Sequence, residues 1–305
     1  MKIDMTAGDL YLSYLEGETD FDEMWDTRPF QMIREFSQGM RRFGSSKEEI
    51  KEALERAENI DRNGLGSLEE NLHQVKDFFR TIENKEEEWI DTIEGELNRV
   101  IPEGDLSDLT IHPLPSLLDY GIAMEDGVCI NLNQPIFFEN PREFVYIAIH
   151  ECAHCLYAQG HGVVKLGKQD LESPEDKETF LNTVLHNEGF AVYTPLGLRK
   201  REGKMGKKSH PVLSDYLIIS DETKMEKQIK KYDSFLKEFE RNIDEWSLEE
   251  LIEGTMGKER HPFRIGGWIY KELEEKKGLD EVREAFYMDA DEFVKEYDHL
   301  LDRIR

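Results

Sequence analysis

The pattern of hydrophobic and polar positions divides the chain into two regions. Across residues 1–100, apolar positions recur every three or four residues on a strongly charged background, which is typical of amphipathic helices. Ser67 and Glu70 have the spacing of a capping box and predict that a helix begins there. Breaks between helices are predicted at residues 44–46 and 63–67. We interpret this region as a helical scaffold.

Between residues 109 and 133 the spacing changes from helical to alternating. Segments 109–114 and 127–133 alternate apolar residues with other types and favour strands. Helical spacing then returns, and it includes two amphipathic helices within residues 279–305. We therefore predict a mostly helical α+β protein, with a helical N-terminal region at residues 1–105 and a second domain with a small sheet at residues 106–305.

An apolar stretch at residues 144–149 leads directly into the pattern H-E-x-x-H, formed by His150, Glu151 and His154. Residues four apart lie on one face of an α-helix, so the two imidazoles can bind one metal ion. Glu151 would then lie beside the metal, where it can accept a proton from water as a general base. We expect Zn²⁺ at this site.

A hydrolytic zinc site uses three protein ligands and leaves a fourth position open. Glu188 is our candidate for the third ligand, on a helix predicted to begin after Ser173 and to end before Pro195. His186 could bind the metal instead, and so could Cys155 as a thiolate.

The segment around Glu188 reads N-E-G-F-A-V-Y at residues 187–193. It resembles the N-E-G-F-A-x-Y segment of zinc aminopeptidases of the gluzincin clan, which also follows an H-E-x-x-H helix. The resemblance implies a gluzincin or thermolysin-like zinc-protease domain at residues 106–305, with His150, His154 and Glu188 as ligands. The connection here is longer than in those enzymes, which predicts an inserted loop at residues 160–173.

Small residues follow the proposed third ligand. Gly189 and Ala191 predict that this helix packs closely against the H-E-x-x-H helix. The entry to the latter helix is predicted at Asn140, as an N-cap.

Peptide hydrolysis also needs a hydrogen-bond donor for the oxyanion. The resemblance implies a His or Tyr well downstream of the Glu ligand, and we consider His261 first, then Arg264, then Tyr270. Gly266 and Gly267 would let the backbone approach a site closely. Alternatively, a helix begins here and these glycines pack against a neighbouring helix.

Two features bear on how a substrate would bind. Segment 127–133 is predicted to offer a sheet edge to which a substrate backbone can add. The aminopeptidases hold the substrate amine with a Glu in a G-x-M-E-N segment, and Glu125 has a comparable position, although the match around it is imperfect. Specificity for the N-terminus is left open.

Composition restricts partner and compartment. The 66 acidic and 39 basic residues give a net charge of −27, which argues against nucleic acid. The sequence has no apolar run of membrane-spanning length, and its first residues lack the apolar core of a signal peptide. Its three cysteines form no disulfide framework, so we expect a reducing cytoplasm.

We therefore predict a zinc-dependent peptidase that hydrolyses peptide bonds with a metal-activated water and Glu151 as the base, acting on a peptide or protein. Besides an accidental match to H-E-x-x-H, two alternatives from other functional classes remain. One is a zinc amidohydrolase or esterase that is not a peptidase. The other is a zinc-containing protein that binds peptides without cleaving them, although the presence of Glu151 counts against it.

Overall fold

The structure is a computed structural model that describes residues 1–40, 46–59, 67–102, 104–117, 120–162, 171, 173–208, 210–257 and 259–302. Contacts group the chain into two compact units. The first contains residues 1–99 and 103–159, and the second contains residues 100–102 and 160–305. The predicted division between residues 105 and 106 stays a prediction beside this grouping.

Five helices fill most of the described part of the first hundred residues, as the hydrophobic spacing predicts. They are α1 (Thr6–Leu15), α2 (Phe21–Trp25), α3 (Arg28–Met40), α4 (Lys47–Asn59) and α5 (Leu68–Val100). The capping box that opens α5 is formed: the Ser67 hydroxyl accepts from the Glu70 N–H at 3.2 Å, and the Glu70 carboxylate accepts from the Ser67 N–H at 2.9 Å. The predicted breaks fall largely on residues 41–45 and 60–66, which lie outside the described residues.

A four-stranded sheet follows in the order β1-β2-β4-β3. Its strands are β1 (Lys2–Ile3), β2 (Thr110–Leu114), β3 (Gly121–Met124) and β4 (Gly127–Asn131). Strands β1, β2 and β4 are parallel, and β3 is antiparallel to β4. The predicted strands β2 and β4 are confirmed. The expectation that β4 offers a free edge is wrong, because β2 and β3 pair with its two sides. Strands β1 and β3 form the two edges of the described sheet.

Aromatic residues of the first three helices cover part of this sheet. Phe30 lies 5.7 Å from Phe21 and 6.0 Å from Tyr11, centroid to centroid. These rings belong to one buried cluster with Ile122 of β3 and Cys129 of β4. Burial of these apolar groups, worth about 25 cal/mol per Å², therefore fixes the first three helices on the β3–β4 hairpin.

Two further helices, α6 (Pro135–Glu139) and α7 (Glu143–His161), follow β4. Helix α7 carries the H-E-x-x-H pattern. It begins at Glu143, whereas Asn140 ends α6 and donates its side-chain N–H to the Glu143 carboxylate at 3.2 Å. Asn140 therefore lies two residues before the N-cap position of α7, and the prediction of Asn140 as that N-cap was wrong. Of the predicted loop at 160–173, residues 163–170 and 172 lie outside the described residues.

The second unit is helical in its described parts. Its helices are α8 (Pro174–Tyr193), α9 (Leu196–Glu202), α10 (Pro211–Ile219), α11 (Glu222–Arg241), α12 (Leu248–Met256), α13 (His261–Lys277), α14 (Leu279–Tyr287) and α15 (Ala290–Tyr297), followed by a 3₁₀ turn at Asp298–Leu301. The predicted start of α8 is confirmed, with Ser173 and Asp176 forming a capping box. Within the described ranges, no helix combines the length and apolar character needed to cross a membrane.

Helices α8 and α13 touch through glycine. A Cβ atom placed on Gly189 would lie 2.4 Å from the Gly266 Cα, and one placed on Gly266 would lie 2.1 Å from the Leu185 carbonyl oxygen. The nearest atoms to that Cβ position belong to α13, so Gly189 serves this contact, and the expected packing of α8 against α7 stays a prediction. The alternative reading of Gly266, as a helix-packing residue, is confirmed.

This crossing gives a stability prediction. Gly189→Ala should lower the free energy of unfolding by about 1–3 kcal/mol, because the methyl group would force two backbones apart. Gly95→Ala in α5 is the matched control, since a Cβ there meets nothing within 4 Å. That control should gain up to about 1 kcal/mol from its higher helix propensity. Urea unfolding followed by circular dichroism measures both, and equal stability of the two variants would contradict the packing argument.

Candidate metal centre

Helix α7 presents its two histidines together. The imidazole centroids of His150 and His154 lie 4.9 Å apart, with the rings nearly perpendicular. His150 is buried and His154 is half-buried. The helix is anchored by Phe144, whose ring lies 5.3 Å from Trp89 of α5. The predicted pairing of the two histidines on one helix is confirmed.

Glu151 lies against the edge strand. A Cβ atom placed on Gly121 of β3 would lie 2.5 Å from the Glu151 Cδ and 2.7 Å from its Oε1. Only glycine at position 121 leaves room for the carboxylate in this position. This contact has no direct signal in the sequence, because it joins two segments thirty residues apart.

Glu188 completes a group of possible metal ligands. One ligand atom each from His150, His154 and Glu188 lies within 4.8 Å of the others. No further group of three such side chains is found in the described part of the chain. Zinc bonds of about 2.1 Å place tetrahedral ligands about 3.4 Å apart, so small side-chain adjustments would let these atoms hold one ion.

The donor chemistry of this group suits zinc. Two imidazoles and one carboxylate are ligands that zinc accepts in hydrolytic sites, where a fourth position stays open. Comparison of the chain with family models, with curated proteins and with solved structures gave no significant match. The interpretation of the site therefore depends on its own geometry and chemistry, and the resemblance to gluzincins stays a prediction.

His186, the alternative third ligand, lies in the core of the second unit. It is completely buried, and its Nε2–H donates to the Ala285 carbonyl at 2.9 Å. Its ring stacks 4.4 Å from Phe293. Burial lowers the pKa of His186 to about 3, so the ring stays neutral and serves packing. These contacts favour Glu188 as the third ligand.

Cys155, the other alternative, is also buried. Its Sγ lies 3.5 Å from the Gly127 carbonyl oxygen, which its thiol can reach as a weak donor. Burial raises the pKa of the Cys155 thiol well above its ordinary value, which disfavours the thiolate that zinc binds. Burial raises the pKa of Cys152 in the same way.

The three predicted oxyanion donors all lie on α13. His261 accepts from the Gln228 side chain at its Nδ1, at 2.6 Å, and burial lowers the pKa of His261 to about 4. Tyr270 is completely buried, with its ring 5.0 Å from Phe293. Arg264 donates from Nε to Asp215 at 2.7 Å. All three have contacts within the second unit, and their role towards an oxyanion stays a prediction.

Sequence reasoning missed Arg260, the residue before α13. It adopts a left-handed conformation, φ 46° and ψ 42°, and donates from Nε to Asp215 at 2.7 Å. Burial lowers the pKa of its guanidinium, but the negative charges of Asp215 and then Glu188 outweigh burial and raise the pKa. No local pattern marks Arg260, since neither the left-handed conformation nor the proximity to Glu188 is visible in the sequence.

The ligand assignment is testable by metal affinity. Glu188→Gln should weaken zinc binding by more than about 100-fold, because the amide is a poorer ligand and even supporting residues contribute 10- to 100-fold. Glu178→Gln, an exposed position on the same helix, is the matched control. His186→Gln should keep its zinc affinity. Competition with a chromophoric chelator measures all three, and loss of affinity in His186→Gln but not in Glu188→Gln would reverse the assignment.

Proposed function

We propose that this protein is a zinc-dependent peptidase with a gluzincin-type site. The observation that supports the proposal is the group formed by His150, His154 and Glu188, with Glu151 on the same helix as the two histidines. These three side chains would hold the ion. The same proposal assigns the chain a thermolysin-like arrangement of its active-site helix.

The chemistry divides between the ion and the protein. When bound, zinc would supply Lewis-acid chemistry, which lowers the pKa of water and polarises an amide carbonyl. The Glu151 carboxylate would accept a proton from the attacking water at an Oε atom. It would then return that proton to the nitrogen of the departing amine. A glutamine at this position could do neither.

The edge strand supports a peptide as the substrate. Among the described strands, β3 pairs on one side only, with β4, and three of its four residues are partly exposed. An extended peptide can add to such an edge through main-chain hydrogen bonds. Since Gly121 of this strand touches the Glu151 carboxylate, a peptide added to β3 would lie beside the proposed base. Small amides and esters lack the extended main chain that pairs with the edge of a sheet.

The structure gives no support for an amine site at Glu125. This residue is exposed in the turn that joins β3 to β4. It follows Gly121 by four residues, which corresponds to about 13 Å of extended strand. A glutamate that held the substrate amine next to the scissile bond would lie close to the base. We therefore do not include aminopeptidase specificity in the proposed function.

The role of Glu151 gives the first activity test. Glu151→Gln should keep zinc but lower kcat by about 100- to 10,000-fold, because a general base contributes on that order. Zinc content and digestion of a mixed peptide library measure the two effects. Glu178→Gln, which is remote from the proposed base in sequence and exposed on α8, should keep both. Full activity in Glu151→Gln would remove the proposed mechanism.

The contact between Gly121 and Glu151 gives a second test. Gly121→Ala should displace the carboxylate and lower kcat by about 100-fold, the effect of misplacing a reacting group by about 1 Å. The displaced atoms are the end of a flexible side chain, so zinc content and unfolding should change little. Gly95→Ala serves as the control for the glycine-to-alanine change. If Gly121→Ala has normal kcat, Glu151 does not act from its observed position.

A further inference from the structure

A buried carboxylate in the second unit is shared by two arginines. Asp215 is completely buried. Its Oδ1 accepts from the Arg264 Nε and its Oδ2 accepts from the Arg260 Nε, each at 2.7 Å. One negative charge therefore faces two positive charges. An excess of buried positive charge is unfavourable unless another anion lies nearby.

The two arginines use their donors differently. Arg264 also donates from Nη1 to the Glu259 carbonyl at 2.7 Å and to the Gln228 side chain at 3.2 Å. Within the described part of the chain, Arg260 makes hydrogen bonds through Nε alone. Its Nη1 and Nη2 groups therefore retain four N–H donors for a ligand. Arg264 therefore has a structural role. The Nη1 and Nη2 groups of Arg260, which we call the Arg260 fork, can bind a ligand.

The surroundings of Arg260 hold that fork in place. Its side chain is 13% exposed, and the guanidinium carbon lies 3.7 Å from the centre of the Phe263 ring. Asp215 binds it from a second direction. A guanidinium fixed on two sides has lost most of its freedom before any ligand binds, which increases the affinity it can give.

The backbone conformation of Arg260 also indicates a functional role. It is the one non-glycine residue with positive φ among the described residues. This conformation is unfavourable for a residue with a side chain, and such residues concentrate at functional sites, where the surrounding structure enforces them. A role limited to pairing with Asp215 does not require it, because Arg264 pairs with the same carboxylate from an ordinary helical position.

Glu188 connects this arginine to the proposed metal centre. Glu188 directly precedes Gly189, whose position against Gly266 places α8 on α13, the helix that Arg260 precedes. The negative charge of Glu188 also contributes to raising the pKa of the Arg260 guanidinium. A ligand held by the Arg260 fork would therefore lie near the metal ligand. Two parallel N–H groups match the two oxygens of a carboxylate better than the single oxygen of an oxyanion.

We propose that Arg260 binds a carboxylate of the substrate next to the scissile bond, so that the enzyme prefers peptides that carry one there. This inference rests on the proposed peptidase function. Two sources share the chemistry: the C-terminal carboxylate of the peptide, which would make the enzyme a carboxypeptidase, and an Asp or Glu side chain. The geometry selects a carboxylate in both cases.

Three peptides on the wild-type protein separate these sources. The first is a neutral peptide with a free C-terminus, the second is its C-terminal amide, and the third is the amide with Glu next to the cleaved bond. We expect kcat/KM for the free acid, for the Glu-containing amide or for both to exceed that for the neutral amide by about 100-fold, the value of a charged hydrogen bond. A faster free acid would identify the C-terminal source. Restored cleavage of the third peptide would identify the side-chain source. Equal rates for all three would overturn the proposal.

Substitution of Arg260 tests the residue itself. Arg260→Gln should reduce the preference for the carboxylate peptide over the neutral amide, measured as the ratio of their kcat/KM values, from about 100-fold to about one, whereas Arg260→Lys should recover part of the preference. Arg241→Gln, an exposed position at the end of α11, is the control. If Arg260→Gln slows all three peptides equally, the residue acts in structure alone and the proposal fails.

A binding measurement removes the dependence on turnover. Zinc-loaded Glu151→Gln should bind the preferred peptide more tightly than the neutral amide in calorimetry, and adding Arg260→Gln should abolish the difference. Zinc binding and cleavage without any effect of a carboxylate would overturn the role of Arg260 and leave the proposed function intact. Absence of zinc from the wild-type protein would overturn the proposed function and this inference with it.

Discussion

The backbone contact between Gly189 and Gly266 sets the geometry of the second unit. No side chain separates α8 from α13 at this crossing, so the distance between the helices is fixed by main-chain atoms, which are less adaptable than side chains. Glu188 precedes one of these glycines directly, and Arg260 lies six residues before the other. The crossing therefore determines where a proposed zinc ligand and a buried guanidinium lie relative to each other. A larger residue at either glycine would move both groups at once.

A second close contact at a glycine sets the position of a proposed functional group in the first unit. Gly121 leaves room for the Glu151 carboxylate, and the strand order places β3 at one edge of the sheet. Because β3 pairs with β4 across a short turn and with no other described strand, the strand next to Glu151 lies at an edge of the sheet. The arrangement of the sheet, rather than the composition of any strand, places a free edge beside the proposed base.

Local features were predictable and long-range features were not. The histidine pair on α7 and the capping boxes at Ser67 and Ser173 depend on spacings of three or four residues, which a single helix realises wherever it lies. The position of β4 inside the sheet depends on pairing with distant segments, and β1 is only two residues long, too short to show alternation. His186 illustrates the limit most clearly. Its sequence neighbourhood matches that of Glu188, and only tertiary packing against Phe293 and Ala285 separates a core histidine from a candidate ligand.

The charges around Arg260 connect the proposed site to its substrate. Arg260, Arg264 and Asp215 together carry one net positive charge, and Glu188 is the further anion on which the electrostatics of Arg260 depend. If Glu188 binds a divalent ion, that ion offsets the negative charge of the carboxylate. The carboxylate then balances the positive charge of the arginines less completely. A binding site with net positive charge would then exist inside a protein of net charge −27. Long-range repulsion would disfavour anionic ligands elsewhere on this molecule, so an anionic substrate group would gain most at this one place. A substrate carboxylate held by the Arg260 fork would supply the missing negative charge, which is why occupation of the metal centre and recognition of a carboxylate should reinforce each other.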